Sequence, residues 1–257
     1  MKQLVSNSGT GVDPRNYRRV PRWPSSLLAA LLCASIFGPP VHAKADPPTN
    51  ETNKPARLDE TAGNTNETAS AQNEAGWKSL FDGRTLYGWK STDFAGHGEV
   101  KIEKGQILLE MGSDMTGVTW TNPVVKMNYE VSLDAMRVDG SDFFCGLTFP
   151  VSNSPCSLIV GGWGGGVVGL SSLDGQDASE NETTRYMSFE NGRWYHIRLR
   201  VTPAKIEAWI DKKKVVDVST AGHRISIRYE VELSRPFGIS SWCTTAALKN
   251  IKLRRLD

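Results

Sequence analysis

The sequence predicts an all-β domain of two packed sheets, and three observations carry that prediction. Eight tryptophans and 24 glycines accompany few stretches of helical periodicity. From Trp77 onward, short runs alternate apolar and polar residues, as strands with one buried face do. Turn residues break these runs at short intervals. A hydrophobic content of 39% over 257 residues is enough to build a core.

Residues 1–43 read as a secretory leader. They have a basic start, an apolar run over 27–37, and small residues before a cut after Ala43. Eleven apolar residues fall short of the roughly 20 that a membrane-spanning helix needs. A membrane association therefore requires an uncleaved or lipidated leader, and Cys33 lacks the small preceding residues of an acylation signal. The expected destination is outside the cell or in the periplasm and envelope. Residues 44–75 are rich in Pro, Thr, Asn, Glu and Ala and bury too little to order themselves, so they read as a linker. The folded domain is expected over 76–257.

The formal charge of +2 depends on the leader. Removing it takes five of 30 basic residues and one of 28 acidic ones, leaving about 25 and 27. That balance, without an aromatic-basic stripe, argues against nucleic acid as a partner. Asn50, Asn66 and Asn181 each start an N-glycosylation sequon, which low complexity explains as simply.

Within the domain, Tyr129, Val131, Leu133 and Ala135 alternate as one buried face of a strand. Tyr195, Ile197, Leu199 and Val201 do so in another. A two-residue turn at Pro203-Ala204 sets Arg198 opposite Trp209 and Arg200 opposite Glu207, giving a cation-π contact and an ion pair. Lys212 to Lys214 read as a solvated hairpin turn.

The opening Trp77-Lys-Ser-Leu-Phe81-Asp82-Gly83-Arg-Thr-Leu86-Tyr-Gly88-Trp89 resembles the start of the 3-keto-disaccharide hydrolase family, whose domains are concanavalin A-like jelly-roll β-sandwiches. The hairpin from Gly192-Arg193-Trp194-Tyr195 to Val218 resembles that family's late tryptophan hairpin. Pro236-Phe237-Gly238-Ile239 and Leu248-Lys-Asn-Ile-Lys-Leu-Arg resemble its last strands. The resemblance implies a bacterial, carbohydrate-active protein acting on 3-keto-glycosides. One strand departs: where the family has a Tyr-Glu-Val-Gln-Ile-like strand lining its site, this chain has Cys156-Ser157-Leu158-Ile159-Val160.

Export permits a disulfide. Cys145 and Cys156 flank a hairpin turn within 150–155 and pair either as a bridge or as two buried thiols, with Cys243 left over. No His-x-His, Cys-x-x-Cys or His-Glu-x-x-His spacing supports a transition-metal cofactor. The acidic loop of Asp174, Asp177, Glu180 and Glu182 is a candidate for Ca2+ or another divalent cation, although its spacing is not that of an EF-hand.

Trp163 lies in a glycine-rich run over 161–166, which either gives a ligand room to approach or simply connects strands. With the acidic loop it forms the expected carbohydrate site. Trp163, Trp242, Glu180 and Arg185 are the candidates to hold the sugar. Asp174, Asp177, Glu182 and His196 are the candidates to move protons, although a lone strand histidine such as His196 is more often structural. If the family's activity applies, a base removes the proton beside the ketone and Arg185 steadies the enolate. Three functions remain: a hydrolase or lyase on 3-keto sugars, a noncatalytic carbohydrate-binding module, and an envelope interaction protein. The face carrying Trp194, His196 and Trp209 is the alternative location for a site.

Overall fold

A computed structural model describes residues 76–256. The expected leader and linker lie outside the described residues. The chain forms β1 (Lys78–Ser79), β2 (Trp89–Ser91), β3 (Val100–Glu103), β4 (Gln106–Leu109), β5 (Met115–Trp120), β6 (Tyr129–Gly140) and β7 (Cys145–Val151). It continues through β8 (Ser154–Gly162), β9 (Val167–Ser171), β10 (Arg185–Tyr186), β11 (Trp194–Val201), β12 (Lys205–Ile210) and β13 (Lys213–Ser219). A 3-10 helix (Tyr229–Ser234) precedes β14 (Gly238–Trp242) and β15 (Thr244–Arg255).

These strands make the expected sandwich of two antiparallel sheets. One is eight-stranded, in the order β13-β12-β11-β6-β15-β4-β3 with β1 also paired to β15. The other is seven-stranded, in the order β10-β9-β8-β7-β14-β5-β2. The core lies between them and takes Tyr129, Val131, Leu133 and Ala135 from β6 and Tyr195, Ile197, Leu199 and Val201 from β11. Cys145, Leu147, Phe149, Cys156, Leu158 and Val160 meet them from β7 and β8. Side chains that alternate along each strand thus supply both inner faces. Among the described residues no helix is long and apolar enough to cross a membrane.

The β11–β12 hairpin has the expected register. Arg198 pairs with Trp209 and Arg200 with Glu207, and Thr202 and Lys205 close the Pro203-Ala204 turn. Arg198 stacks 3.9 Å from the Trp209 ring, and Arg200 lies 3.6 Å from Glu207. Glu130 is fully buried although it points outward from β6, because Arg200 and Arg254 close over its carboxylate.

The expected Cys145–Cys156 bridge is absent. The β7–β8 hairpin turns at Ser152, which takes a left-handed backbone (φ 57), and Asn153. Cys145 therefore faces Val160, and Cys156 faces Phe149. Both thiols lie on the inward face, but four residues of register hold them about 13 Å apart along the strands. They are free and fully buried, and burial pushes both thiols up to about 12. Cys243 is half-buried, with its Sγ against the Ser113 carbonyl.

Candidate functional site

The outward face of the seven-stranded sheet is covered by loops rather than by a sheet. Phe94, Met115, Phe143, Ile159, Val167, Ala178 and Val231 form a second hydrophobic cluster there, with Trp242 packed against it. Small residues on the strands make room for this layer: a Cβ on Gly146 would stand 2.9 Å from the Phe143 ring. A cavity of about 220 Å³ opens in this layer. Trp163 and Trp242 line it together with Phe143, and Ser157 and Ser171 form polar points on its wall.

Trp163 is held by an unusual backbone. Its φ of 48 puts a bulky residue in the left-handed region, which costs on the order of 1–3 kcal/mol and persists only where surroundings impose it. Gly165 and Gly166 donate to the Gly162 carbonyl, and Gly164 N–H donates to Asp142 Oδ2 at 2.9 Å. Beneath the loop, Arg137 Nη2 donates to the Gly165 carbonyl at 2.8 Å. The glycines admit these partners: a Cβ on Gly161 would meet that guanidinium at 2.7 Å. Burial pulls the Arg137 pKa down, though the neighbouring Asp142 works against that shift. The loop is thus both a strand connection and a fixed mount that leaves the indole 44% exposed at the cavity.

The opposite wall comes from the 3-10 helix and the residue before it. Arg228 donates to Asp177 at 2.8 Å and to Glu230 at 2.6 Å. The Arg228 hydrogen bonds hold the Glu230 carboxyl below its usual value. Ser157 Oγ is spent on Thr148 at 2.9 Å, whereas the buried Ser171 Oγ has no partner.

The structure disperses the other expected site residues. Asp177 touches the cavity wall through Arg228 and also accepts from Ser179 N–H at 2.9 Å. Asp174 and Glu182 turn elsewhere and clasp His223, with Nδ1 2.7 Å from Asp174 and Nε2 3.0 Å from Glu182. Glu180 is exposed. Arg185 donates to the carbonyls of Glu182 and Thr184, so it braces the loop backbone. His196 lies on the other sheet, on its outward face. Among the described residues no three His, Cys, Asp or Glu side chains converge as a cation site would require, because these carboxylates are committed to His223, Arg228 and Ser179. Asn181, the sequon residue, is buried, and its Nδ2 donates to the Leu170 and Asp177 carbonyls at 2.7 Å each.

Sequence reasoning missed Asp142, Phe143, Ser171, Arg228 and Glu230. The last two sit before and within a six-residue 3-10 helix that has no period to read.

The profile of the 3-keto-alpha-glucoside-1,2-lyase-like domain matches residues 76–254. The chain belongs to this family. Solved structures of low identity superpose on this family member. A transglycosylase, Crh5, in complex with NAG superposes with a TM-score of 0.51 at 10% identity, covering 71% of this chain and 85% of that one. The carbohydrate binding module CBM66 from Bacillus subtilis gives 0.46 at 13% identity over 65% and 95% of the two chains. The exoplasmic/lumenal domain of VIP36, in a Ca2+/Man3GlcNAc-bound form, gives 0.48 at 11% identity over 70% and 88%. No curated protein sequence matches this family member. Ser157 and Ile159 of β8, the strand that departs from the resemblance, line its cavity.

Proposed function

We propose that this domain binds a neutral sugar ring in the Trp163–Trp242 cavity. The observation that carries the reading is the rigidly mounted, exposed indole of Trp163 beside Trp242 in a cavity of about 220 Å³, a volume on the scale of one pyranose. Indole faces supply flat apolar contact to the C–H face of a sugar. Arg228 is neutralised by Asp177 and Glu230, so the wall favours hydroxyls over an anionic group.

Cleavage of 3-keto-glycosides is the second reading, and family membership supports it. That reaction needs a base free to take the proton beside the ketone. Glu230 pairs with Arg228, and Asp142 accepts from the Phe143 and Gly164 N–H groups, so neither cavity carboxylate is free for that task. The geometry supports binding over cleavage.

Calorimetric titration of the full-length protein with neutral oligosaccharides tests the reading. Trp163→Ala and Trp242→Ala are each expected to weaken binding about tenfold, or ~1.4 kcal/mol, and Trp163→Ala to do so without changing the melting temperature. Unchanged affinity in both variants would remove the cavity as the binding site. Measurable product from 3-keto-trehalose, lost in Glu230→Gln, would instead establish cleavage.

A further inference from the structure

On the other side of the sandwich, the outward face of the eight-stranded sheet carries a second constellation. β6 presents Ser132 and Asp134 two residues apart on that face, and His196 of β11 lies directly opposite Asp134. His196 Nδ1 stands 2.7 Å from Asp134 Oδ1, and Nε2 stands 3.3 Å from Ser132 Oγ. A carboxylate against Nδ1 keeps the proton on that nitrogen. Nε2 is then the basic nitrogen, and it faces the hydroxyl.

Asp134 is itself braced. Its Oδ2 accepts from Asn250 Nδ2 at 2.7 Å. Asn250 has a left-handed backbone (φ 54) within a β-bulge of β15, where the pairing with β6 shifts between Lys249 and Lys252. Bulges of this kind re-aim a side chain, here onto the carboxylate. A cavity of about 390 Å³ opens over the three residues, with Trp77 and Arg254 also on its wall. The cross-strand neighbours of Ser132 on the two flanking strands are Arg198 and Lys252.

We propose that Ser132, His196 and Asp134 form a nucleophilic site that hydrolyses carboxylic esters. His196 Nε2 takes the hydroxyl proton as Ser132 Oγ bonds to the ester carbonyl carbon, and the carbonyl electron pair moves onto its oxygen. When the pair returns, the bond to the alcohol oxygen breaks, and the alcohol leaves with the proton from His196. Water then repeats the sequence on the acyl-serine, which releases the carboxylic acid and restores the hydroxyl. The site shares no residue with the sugar cavity and stands apart from the sugar-binding reading.

The test is active-site labelling of the full-length protein with a fluorophosphonate, followed by peptide mass spectrometry. One adduct on Ser132 is expected. Ser132→Ala should abolish it, and His196→Gln should slow it about 100-fold or more while circular dichroism stays unchanged. Hydrolysis of 4-acetoxybenzoate is expected in the wild type only. A folded wild-type protein that gains no adduct on Ser132 overturns the proposal, as does undiminished hydrolysis by folded Ser132→Ala. If Ser132→Ala does not fold, labelling of the wild type decides alone.

Discussion

Trp163 shows how a single side chain is held in place by residues that never touch a ligand. Its exposure depends on the turn beneath it, and that turn depends on Gly165, whose φ is 110 and whose added Cβ would lie 2.7 Å from the Ser141 carbonyl. Gly165→Ala is therefore expected to cost about 1–3 kcal/mol and to weaken sugar binding while Trp163 itself remains. Thermal melting paired with titration reads both effects. At the same scale, the free and fully buried Cys145 and Cys156 should resist thiol reagents in the folded protein. Both should alkylate fully once the unreduced chain is denatured, and a linked peptide pair would contradict the β7–β8 register.

Among the elements, the β11–β12 hairpin was readable in advance and the cavity wall was not. Alternation and a Pro-Ala turn fix a hairpin register locally, so the Arg198–Trp209 and Arg200–Glu207 pairs follow from the sequence. The β7–β8 turn falls within 150–155 as the sequence predicts, but its centre at Ser152 and Asn153 lies nearer Cys156 than Cys145, so the two thiols do not meet. The cavity joins side chains from β5, the stretch before β7, β8 and the 3-10 helix, and no periodicity announces such a meeting. The acidic loop reads as a cluster of free carboxylates because partners distant in sequence, His223 and Arg228, cannot be assigned to it by spacing. Its acid response follows from those pairings. The backbone N–H of Arg224, and after it His223, hold the Asp174 carboxyl below its usual 3.8. A depressed carboxyl stabilises the fold above its unfolded value and loses that contribution as pH falls through the lower folded one. Amides of 174–183 should accordingly lose hydrogen-exchange protection at pH below 3.8, before those of β6 and β11.

For the whole molecule, alternation established the sandwich and its core, and Leu133, fully buried at the centre of that core, offers a direct check. Leu133→Ala should destabilise the domain by about 2–5 kcal/mol, read from denaturant unfolding. We also propose that the mature chain begins at Lys44, which mass spectrometry of the exported protein checks; an intact Met1 would refute it. One topological fact then acquires a further meaning. β15 lies between β6 and β4 and also pairs with β1, so the last residues of the domain join the two parts of the eight-stranded sheet. A partly synthesised chain has no way to close that sheet, since contacts this distant in sequence form late. The eight-stranded sheet therefore becomes continuous only once β15 is in place, the last strand of the domain to be synthesised.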